Sequence, residues 1–173
     1  MNQEVDRIKN IVSDLLLFSK PSEPDRSPTD IQKIVADIAD LLTSNLLTHH
    51  IAFKQGFDVA LPKVFVDPGQ IKQALLNLVM NAVDAMKGRG GELAISAKVS
   101  EGQVEIVIRD TGCGIPADKL PYVFDPFYTS KDHGTGLGLA VTHAIIEKNH
   151  GRIEVTSVVG RGTEFKMFLP VAL

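Results

Sequence analysis

The sequence has few of the residues on which several classes of protein depend. It contains no tryptophan and a single cysteine, Cys113. One cysteine cannot form an internal disulfide, and no second cysteine or histidine stands near Cys113 at the spacing of a metal site. A disulfide framework is therefore excluded, and we expect Cys113 to be a small buried apolar residue in a reducing compartment.

An excess of positive charge and long hydrophobic runs are also missing. The chain carries 18 Lys and Arg against 21 Asp and Glu, and its basic residues are dispersed, so nucleic acid is not an expected partner. No apolar run approaches the roughly 20 residues that a transmembrane helix needs. The opening residues MNQEVDRIKN do not resemble a secretory signal, and we expect a cytoplasmic chain.

Hydrophobic periodicity divides the chain into a short helix, a linker and one globular domain. Apolar residues recur at heptad spacing near the start: Val5, Ile8, Val12 and Leu15. Residues 20–28 are polar and contain three prolines (KPSEPDRSP), the composition of a linker. We therefore predict a helix over residues 1–20, a linker over 21–28 and a domain over 29–173.

Within residues 29–173 the apolar pattern alternates between the helical period and the strand period, which predicts an α/β domain. The predicted helices run from Thr29 or Asp30 to about Leu47, from Asp67-Pro68 to about Met86, and from Gly136 to Asn149. The predicted strands cover residues 51–57, 64–66, 93–99, 104–109, 153–158 and 164–169.

The helix that begins at Pro68 carries a stripe of short polar side chains beside its apolar face. The stripe consists of Gln73, Asn77, Asn81 and Asp84. Asparagine is a poor helix former, so two of them four residues apart need a reason. A solvated face is the ordinary explanation, yet such faces usually carry Lys and Glu. Short amide oxygens suit Mg²⁺ beside phosphates, which favours a ligand role.

Two glycine-rich segments follow this helix. Asp110 ends a predicted strand and precedes Gly112 and Gly114, so its carboxylate could accept a hydrogen bond from an exocyclic amine while the glycines allow close approach to a flat ring. A tight turn is the commoner explanation for such a string. Residues 134–140 (GTGLGLA) precede a helix whose amides would face an anion. Neither a P-loop nor a dinucleotide fingerprint is present, because Leu139 follows Gly138.

Taken in order, these segments and residues 124–131 (FDPFYTSK) resemble the N, G1, F and G2 boxes of histidine kinases in the GHKL ATPase superfamily. The likeness covers residues 29–173, and Arg7 to Pro21 resembles the end of the second dimerisation helix. The resemblance implies the Bergerat ATP-binding fold, a two-layer α/β sandwich with a mixed sheet and helices on one face. It also implies a homodimer contact through residues 5–19 and a mobile lid over ATP, with Phe124 and Phe127 anchoring the lid.

The same resemblance assigns roles to individual residues toward ATP and Mg²⁺. Asn81 would bind Mg²⁺, Asn77 would lie close to the phosphates, and Lys131 would contact the terminal phosphates, so that these residues form the expected catalytic set. Asp110 would anchor adenine, and Thr163 stands at a water-linked adenine contact. The remaining expected nucleotide-binding residues are Asp84, Gly112, Gly114, Ile115, Gly134, Thr135, Gly136, Leu137, Gly138 and Leu139.

The implied activity is transfer of the γ-phosphoryl group of ATP to a histidine, which depends mainly on positioning and charge stabilisation. Hydrolysis of ATP is expected to be slow, because Asn77 stands where hydrolytic members of the superfamily carry a glutamate.

The family's histidine box is missing, and the histidines are expected to be structural or at the surface: His49, His50, His133, His143 and His150. We therefore expect this chain to be a piece of a longer kinase, which could be anchored in a membrane. The piece itself is expected to bind ATP but not to phosphorylate itself. The acceptor would belong to the histidine-bearing dimerisation domain of that kinase, and a response regulator receiver domain would be a further partner.

Three other functions fit the sequence less well. A serine kinase of the anti-sigma-factor type is disfavoured by residues 124–131 and by the heptad helix. A degenerate nucleotide domain used for protein contacts is disfavoured by Asn81, Asp110 and the lid glycines. A chaperone-like or topoisomerase-like ATPase is disfavoured by Asn77 and by the lack of large additional domains.

Overall fold

The computed structural model describes residues 23–129 and 134–172. The helices and strands in these ranges are β1 (Ser27–Thr29), α1 (Ile31–Thr48), β2 (Ile51–Phe57), β3 (Val64–Val66), α2 (Pro68–Met86), β4 (Gly91–Ser100), β5 (Gln103–Asp110), a 3₁₀ turn (Leu120–Tyr122), α3 (Gly138–Lys148), β6 (Arg152–Val158) and β7 (Gly162–Pro170). The predicted dimerisation helix, the first residues of the linker, His133 and Lys131 lie outside the described residues.

The main sheet is mixed and has the strand order β2-β4-β5-β7-β6. Strands β2 and β4 run parallel, whereas the other neighbours are antiparallel. The three α-helices supply apolar side chains to the same core as alternate residues of β5, namely Val104, Ile106 and Ile108. On the opposite face of β5, Glu105 lies 3.4 Å from the amine of Lys98 and pairs also with Lys166 at 4.0 Å. Helices therefore cover one face of the sheet, and the expected two-layer α/β sandwich is confirmed.

Helix starts follow from local capping. The carboxylate of Asp30 accepts the N–H groups of Gln32 and Lys33 before α1, and Asp67 caps α2 in front of Pro68. Helix α3 begins at Gly138, two residues later than predicted, because Gly136 has a φ of 68°, outside the right-handed helical region. Within residues 23–129 and 134–172, no helix combines the length and hydrophobicity that a transmembrane span requires.

A short strand that the sequence did not predict docks the segment before α1. Strand β1 begins inside the predicted linker and pairs antiparallel with β3, with Ser27 opposite Val66. The guanidinium of Arg26 donates to the main-chain oxygen of Lys148, and the N–H of Asp25 donates to the carboxylate of Asp67 at 3.0 Å. Part of the predicted linker is thus attached to the domain, while the boundary at residue 29 stays a prediction.

Candidate functional site

Asp110 occupies the last position of β5, where its side chain is only 5% exposed. Its Oδ1 accepts the N–H of Gly112 at 2.7 Å and the N–H of Thr163 at 3.3 Å. Both bonds end on the same oxygen, and no described residue donates to Oδ2. The carboxylate is thus held by one oxygen and has the other available for a ligand that carries a hydrogen-bond donor.

The environment of Asp110 is unfavourable for a charge. Burial raises the pKa of the Asp110 carboxyl above its ordinary value, although the hydrogen bonds from Gly112 and Thr163 act in the opposite direction. A buried carboxylate with an unpaired oxygen costs folding free energy. Such a group is characteristic of a functional site, where a ligand supplies the missing partner.

The loop that follows Asp110 lies against the C-terminal end of α2. A Cβ atom on Gly112 would come within 2.7 Å of the Cβ of Ala85, so only glycine allows this approach. The N–H of Cys113 donates to the main-chain oxygen of Ala85 at 3.1 Å. The side chain of Cys113 is exposed, so the expectation that it would be buried was wrong. The backbone of Cys113 faces α2, so the thiol of Cys113 points away from the helix.

The middle of α2 contacts the first turn of α3. The Nδ2 atom of Asn77 lies 3.3 Å from the main-chain oxygen of Gly138 and 3.5 Å from the hydroxyl of Thr142. Asn77, Asn81 and Ala85 follow one another at four-residue intervals on one side of α2, about 6 Å apart along the axis. Asn81, which is half-buried, thus lies between the contact with residues 134–138, called here the glycine hinge, and the contact with the Asp110 loop. The three segments singled out in the sequence therefore meet along one side of α2.

The glycine hinge itself is shaped by its contact with Phe127. The main-chain oxygen of Gly136 accepts the N–H of Phe127 at 2.9 Å, and a Cβ atom at position 136 would overlap the Phe127 backbone. Leu137 is buried and can meet a nucleotide only through its backbone, whereas Leu139 is partly buried and packs against the core. Thr135 accepts the N–H of Leu137 at 3.2 Å.

The two phenylalanines before the hinge behave differently. Phe124 packs with its ring centroid 5.1 Å from that of His143 and 6.4 Å from that of Phe165, and its role in anchoring the lid stays a prediction. Phe127 is 63% exposed. Its contact with Gly136 is made by the backbone.

The remaining expected site residues lie around this region. Asp84 is exposed and stands one turn after Asn81, whereas Gly134, Gly114 and Ile115 are half-buried. Lys131 is outside the described residues, so its expected contact stays a prediction.

Ser157 on β6 was missed by the sequence analysis. Its hydroxyl accepts the N–H of Ile115 at 2.8 Å, donates to the main-chain oxygen of Gly162 at 2.8 Å and lies 3.0 Å from the hydroxyl of Thr163. Ser157 therefore fixes the loop after Asp110 to the β6–β7 hairpin. A serine in an alternating strand carries no sequence signal for such a contact, because its partners are distant along the chain.

The chain resembles known proteins in sequence and in fold. Residues 66–173 match the family described as histidine kinase-, DNA gyrase B- and HSP90-like ATPase. The sensor histidine kinase ZraS of Escherichia coli (strain K12) is 37% identical over 171 residues, which cover 99% of this chain and 37% of ZraS. The chain thus spans little more than a third of the length of ZraS.

Two solved structures extend the likeness to the fold. Full-length ShkA in complex with AMPPNP is 27% identical with a TM-score of 0.87, over 98% of this chain and 37% of ShkA. The histidine kinase ThkA in complex with the response regulator protein TrrA is 25% identical with a TM-score of 0.82, over 99% of this chain and 49% of ThkA.

Proposed function

Because the chain belongs to the family of histidine kinase-, DNA gyrase B- and HSP90-like ATPases, we propose that it binds ATP with Mg²⁺ as the catalytic domain of a sensor histidine kinase. In this role it positions the γ-phosphoryl group of ATP for transfer to a histidine. The relatives named above support this activity, since ZraS is a sensor histidine kinase and ShkA was crystallised with AMPPNP.

The observation that carries the proposal is the geometry of Asp110. Its Oδ1 is held by the amides of Gly112 and Thr163, and its Oδ2 is available as an acceptor. The exocyclic amine of adenine is a donor of matching chemistry. Gly112 has no side chain that could obstruct a flat ring beside Asp110.

The phosphate end of the nucleotide would lie toward Asn81 and the start of α3. The amide oxygen of Asn81 is a hard oxygen ligand of the kind that Mg²⁺ takes when nucleotide phosphates supply its other ligands. Mg²⁺, when bound, would neutralise charge on the phosphate oxygens. The first turn of α3 contacts α2 at Asn77, whose Nδ2 donates to the main-chain oxygen of Gly138, and the N–H groups at a helix start suit an anion. We propose that Gly134 and Thr135 complete the lid and that Lys131 contacts the terminal phosphates.

The partners follow from the proposed activity. The phosphoryl acceptor would be a histidine on the dimerisation domain of the longer kinase, and residues 5–19 would contribute a homodimer contact. A response regulator receiver domain would take the phosphoryl group next, as the complex of ThkA with TrrA suggests by analogy. We place this reaction in the cytoplasm, where ATP is available and Cys113 stays reduced, and expect no role for nucleic acid.

The proposal is tested by calorimetric titration of the wild-type chain and the variant Asp110→Asn with ATP and Mg²⁺. In the variant, the amide oxygen would accept the N–H groups of Gly112 and Thr163, so the NH₂ group would replace Oδ2 and oppose the adenine amine. Loss of a hydrogen bond to a charged group predicts an affinity about 10- to 100-fold lower.

The matched control is Asp118→Asn, which removes a carboxylate from an exposed position in the same loop. This variant should bind ATP like the wild type. Equal binding by Asp110→Asn and the wild type would reject the proposed site.

A further inference from the structure

We propose that Thr142 is a positioning residue, which orients the side-chain amide of Asn77 so that its oxygen, and not its NH₂ group, faces the bound nucleotide. This inference rests on the proposed function and specifies how one residue of that site acts. Asn77 would then serve as an acceptor toward hydrated Mg²⁺, and not as a donor to a phosphate oxygen.

The first step of the argument is the hydrogen-bonding state of Thr142. Its side chain is fully buried in α3, and its hydroxyl donates to the main-chain oxygen of Gly138 at 2.8 Å. A hydroxyl has one hydrogen to donate. Because that hydrogen is used on Gly138, Thr142 presents only lone pairs to other neighbours.

The second step concerns the side of Asn77 that faces α3. The amide of Asn77 lies 3.3 Å from the main-chain oxygen of Gly138 and 3.5 Å from the hydroxyl of Thr142. A carbonyl oxygen never donates, and the hydroxyl has no hydrogen left. Both neighbours are thus acceptors, and only the NH₂ group of Asn77 can satisfy them.

The third step is what this orientation leaves for a ligand. With Nδ2 directed at α3, Oδ1 of Asn77 points to the other side, and no described residue donates to it. Asn81 follows one turn later on the same side of α2. The oxygen of Asn77 is therefore an acceptor on the side toward Asn81, which suits a hydrated cation and not a phosphate.

A second contact between α2 and α3, at Asn149, fixes the position of Thr142. Asn149, just after α3, accepts the N–H of Asp67 at 2.7 Å and donates to the side chain of Gln70 at 2.9 Å. Because α3 is attached to α2 beyond the Thr142 contact, the hydroxyl of Thr142 keeps a defined position relative to Asn77.

The test compares Thr142→Val with Thr142→Ser in the whole 173-residue chain. Valine has the shape of threonine without its hydroxyl, and serine retains the hydroxyl. ATP affinity is measured by calorimetry with Mg²⁺ and again with EDTA. Thr142→Val should lower the gain in affinity that Mg²⁺ provides by about 10-fold, as is typical when a residue that orients a metal ligand is removed. Metal-free binding should stay unchanged, and Thr142→Ser should behave like the wild type.

Other outcomes overturn the inference. Equal losses with and without Mg²⁺ would mean that Thr142 has only a structural role, and unchanged affinity in both conditions would mean that it does not orient Asn77. Failure of the wild type to bind ATP at all, or equal binding by Asp110→Asn, would instead reject the proposed function.

A second measurement needs neither nucleotide nor metal. In ¹⁵N-correlated NMR spectra of the free chain, the NH₂ signals of Asn77 are assigned by their loss in Asn77→Ala. These protons should exchange slowly with water in the wild type, because both face acceptors, and their signals should shift in Thr142→Val but not in Thr142→Ser. Rapid exchange in the wild type would contradict the proposed orientation even if Thr142→Val failed to fold.

Discussion

The side-chain oxygen of Asn149 accepts the main-chain N–H of Asp67 at 2.7 Å, which joins the residue after α3 to the residue that caps α2. The amide nitrogen of Asn149 donates to Gln70 and to the main-chain oxygen of Ile145, each at 2.9 Å. With the contact between Asn77 and Gly138 at the other end, α2 and α3 are connected at two points. The side of α2 that carries the proposed magnesium ligand is thereby fixed relative to the glycine hinge.

The hydrogen bonds of Asn149 make it a main determinant of stability. Asn149→Ala leaves the N–H of Asp67 and the side chain of Gln70 without their present partner, so the free energy of unfolding should fall by about 2–3 kcal/mol. Urea denaturation of the wild type and the variant measures the free energy of unfolding. The control is Asn45→Ala, since the buried Oδ1 of Asn45 has no partner among the described residues. A loss in the control as large as in Asn149→Ala would contradict the argument.

Removing the amide of Asn81 should affect nucleotide binding only when Mg²⁺ is present. Asn81→Ala is expected to weaken Mg²⁺-dependent ATP binding at least about 10-fold while metal-free binding is retained. Titrations with ATP in the presence of Mg²⁺ and in the presence of EDTA measure the metal-dependent and the metal-free binding separately. Gln73→Ala, two turns earlier on the same stripe, should match the wild type. The assignment of Asn81 would be refuted by equal losses in both conditions.

The proposed site should distinguish adenine from guanine. Oδ2 of Asp110 can accept a hydrogen bond from the amine at position 6 of adenine, but guanine has an oxygen there. Two acceptors would face each other, so GTP should bind roughly 10- to 100-fold more weakly than ATP. Competition of each nucleotide with a fluorescent ATP analogue gives the ratio. Similar affinities would show that the base is held elsewhere.

The pH dependence of stability should reveal the burial of Asp110. A carboxyl whose pKa is raised in the folded state stabilises the fold when it is protonated, below its ordinary pKa of 3.8, and this contribution is lost as the pH rises through the raised pKa. In the Asp110→Asn variant the side-chain amide stays neutral at every pH, so no charge is buried at this position.

The difference in unfolding free energy between Asp110→Asn and the wild type should therefore shift in favour of the variant as the pH rises from the acid side to neutrality. Urea titrations at a series of pH values measure it. The exposed substitution Asp118→Asn in the same loop is the control. A difference that moves in favour of the wild type would contradict the raised pKa.

The lone cysteine offers an independent probe of the same loop. Cys113 is exposed and lies between Gly112 and Gly114, next to the proposed adenine contact. A maleimide reagent should modify it completely in the folded chain, and ATP with Mg²⁺ should slow the modification. Mass spectrometry follows the reaction, with Asp110→Asn as the control in which ATP gives little protection. Protection that persists in this variant would place the nucleotide away from Asp110.

Local chemistry determined most of the elements. The sequence predicts a cap at Thr29 or Asp30 and a helix start at Asp67-Pro68, and in the structure Asp30 and Asp67 accept main-chain N–H groups. Strand β1 escaped detection because three residues cannot show a period, and its pairing with β3 depends on a partner far along the chain. The later start of α3 follows from the backbone of Gly136, whose positive φ accommodates Phe127.

The sequence by itself determined the type of domain and the residues of its proposed site, because periodicity, capping and the order of Asn81, Asp110 and the lid glycines are properties of neighbours along the chain. Only the tertiary structure decided which atoms of these residues are free to act. Oδ2 of Asp110 is available because Gly112 and Thr163 both use Oδ1, and the NH₂ group of Asn77 faces the main-chain oxygen of Gly138 and the hydroxyl of Thr142. Hydrogen-bond direction depends on partners that folding brings together from distant segments, and no local pattern records it.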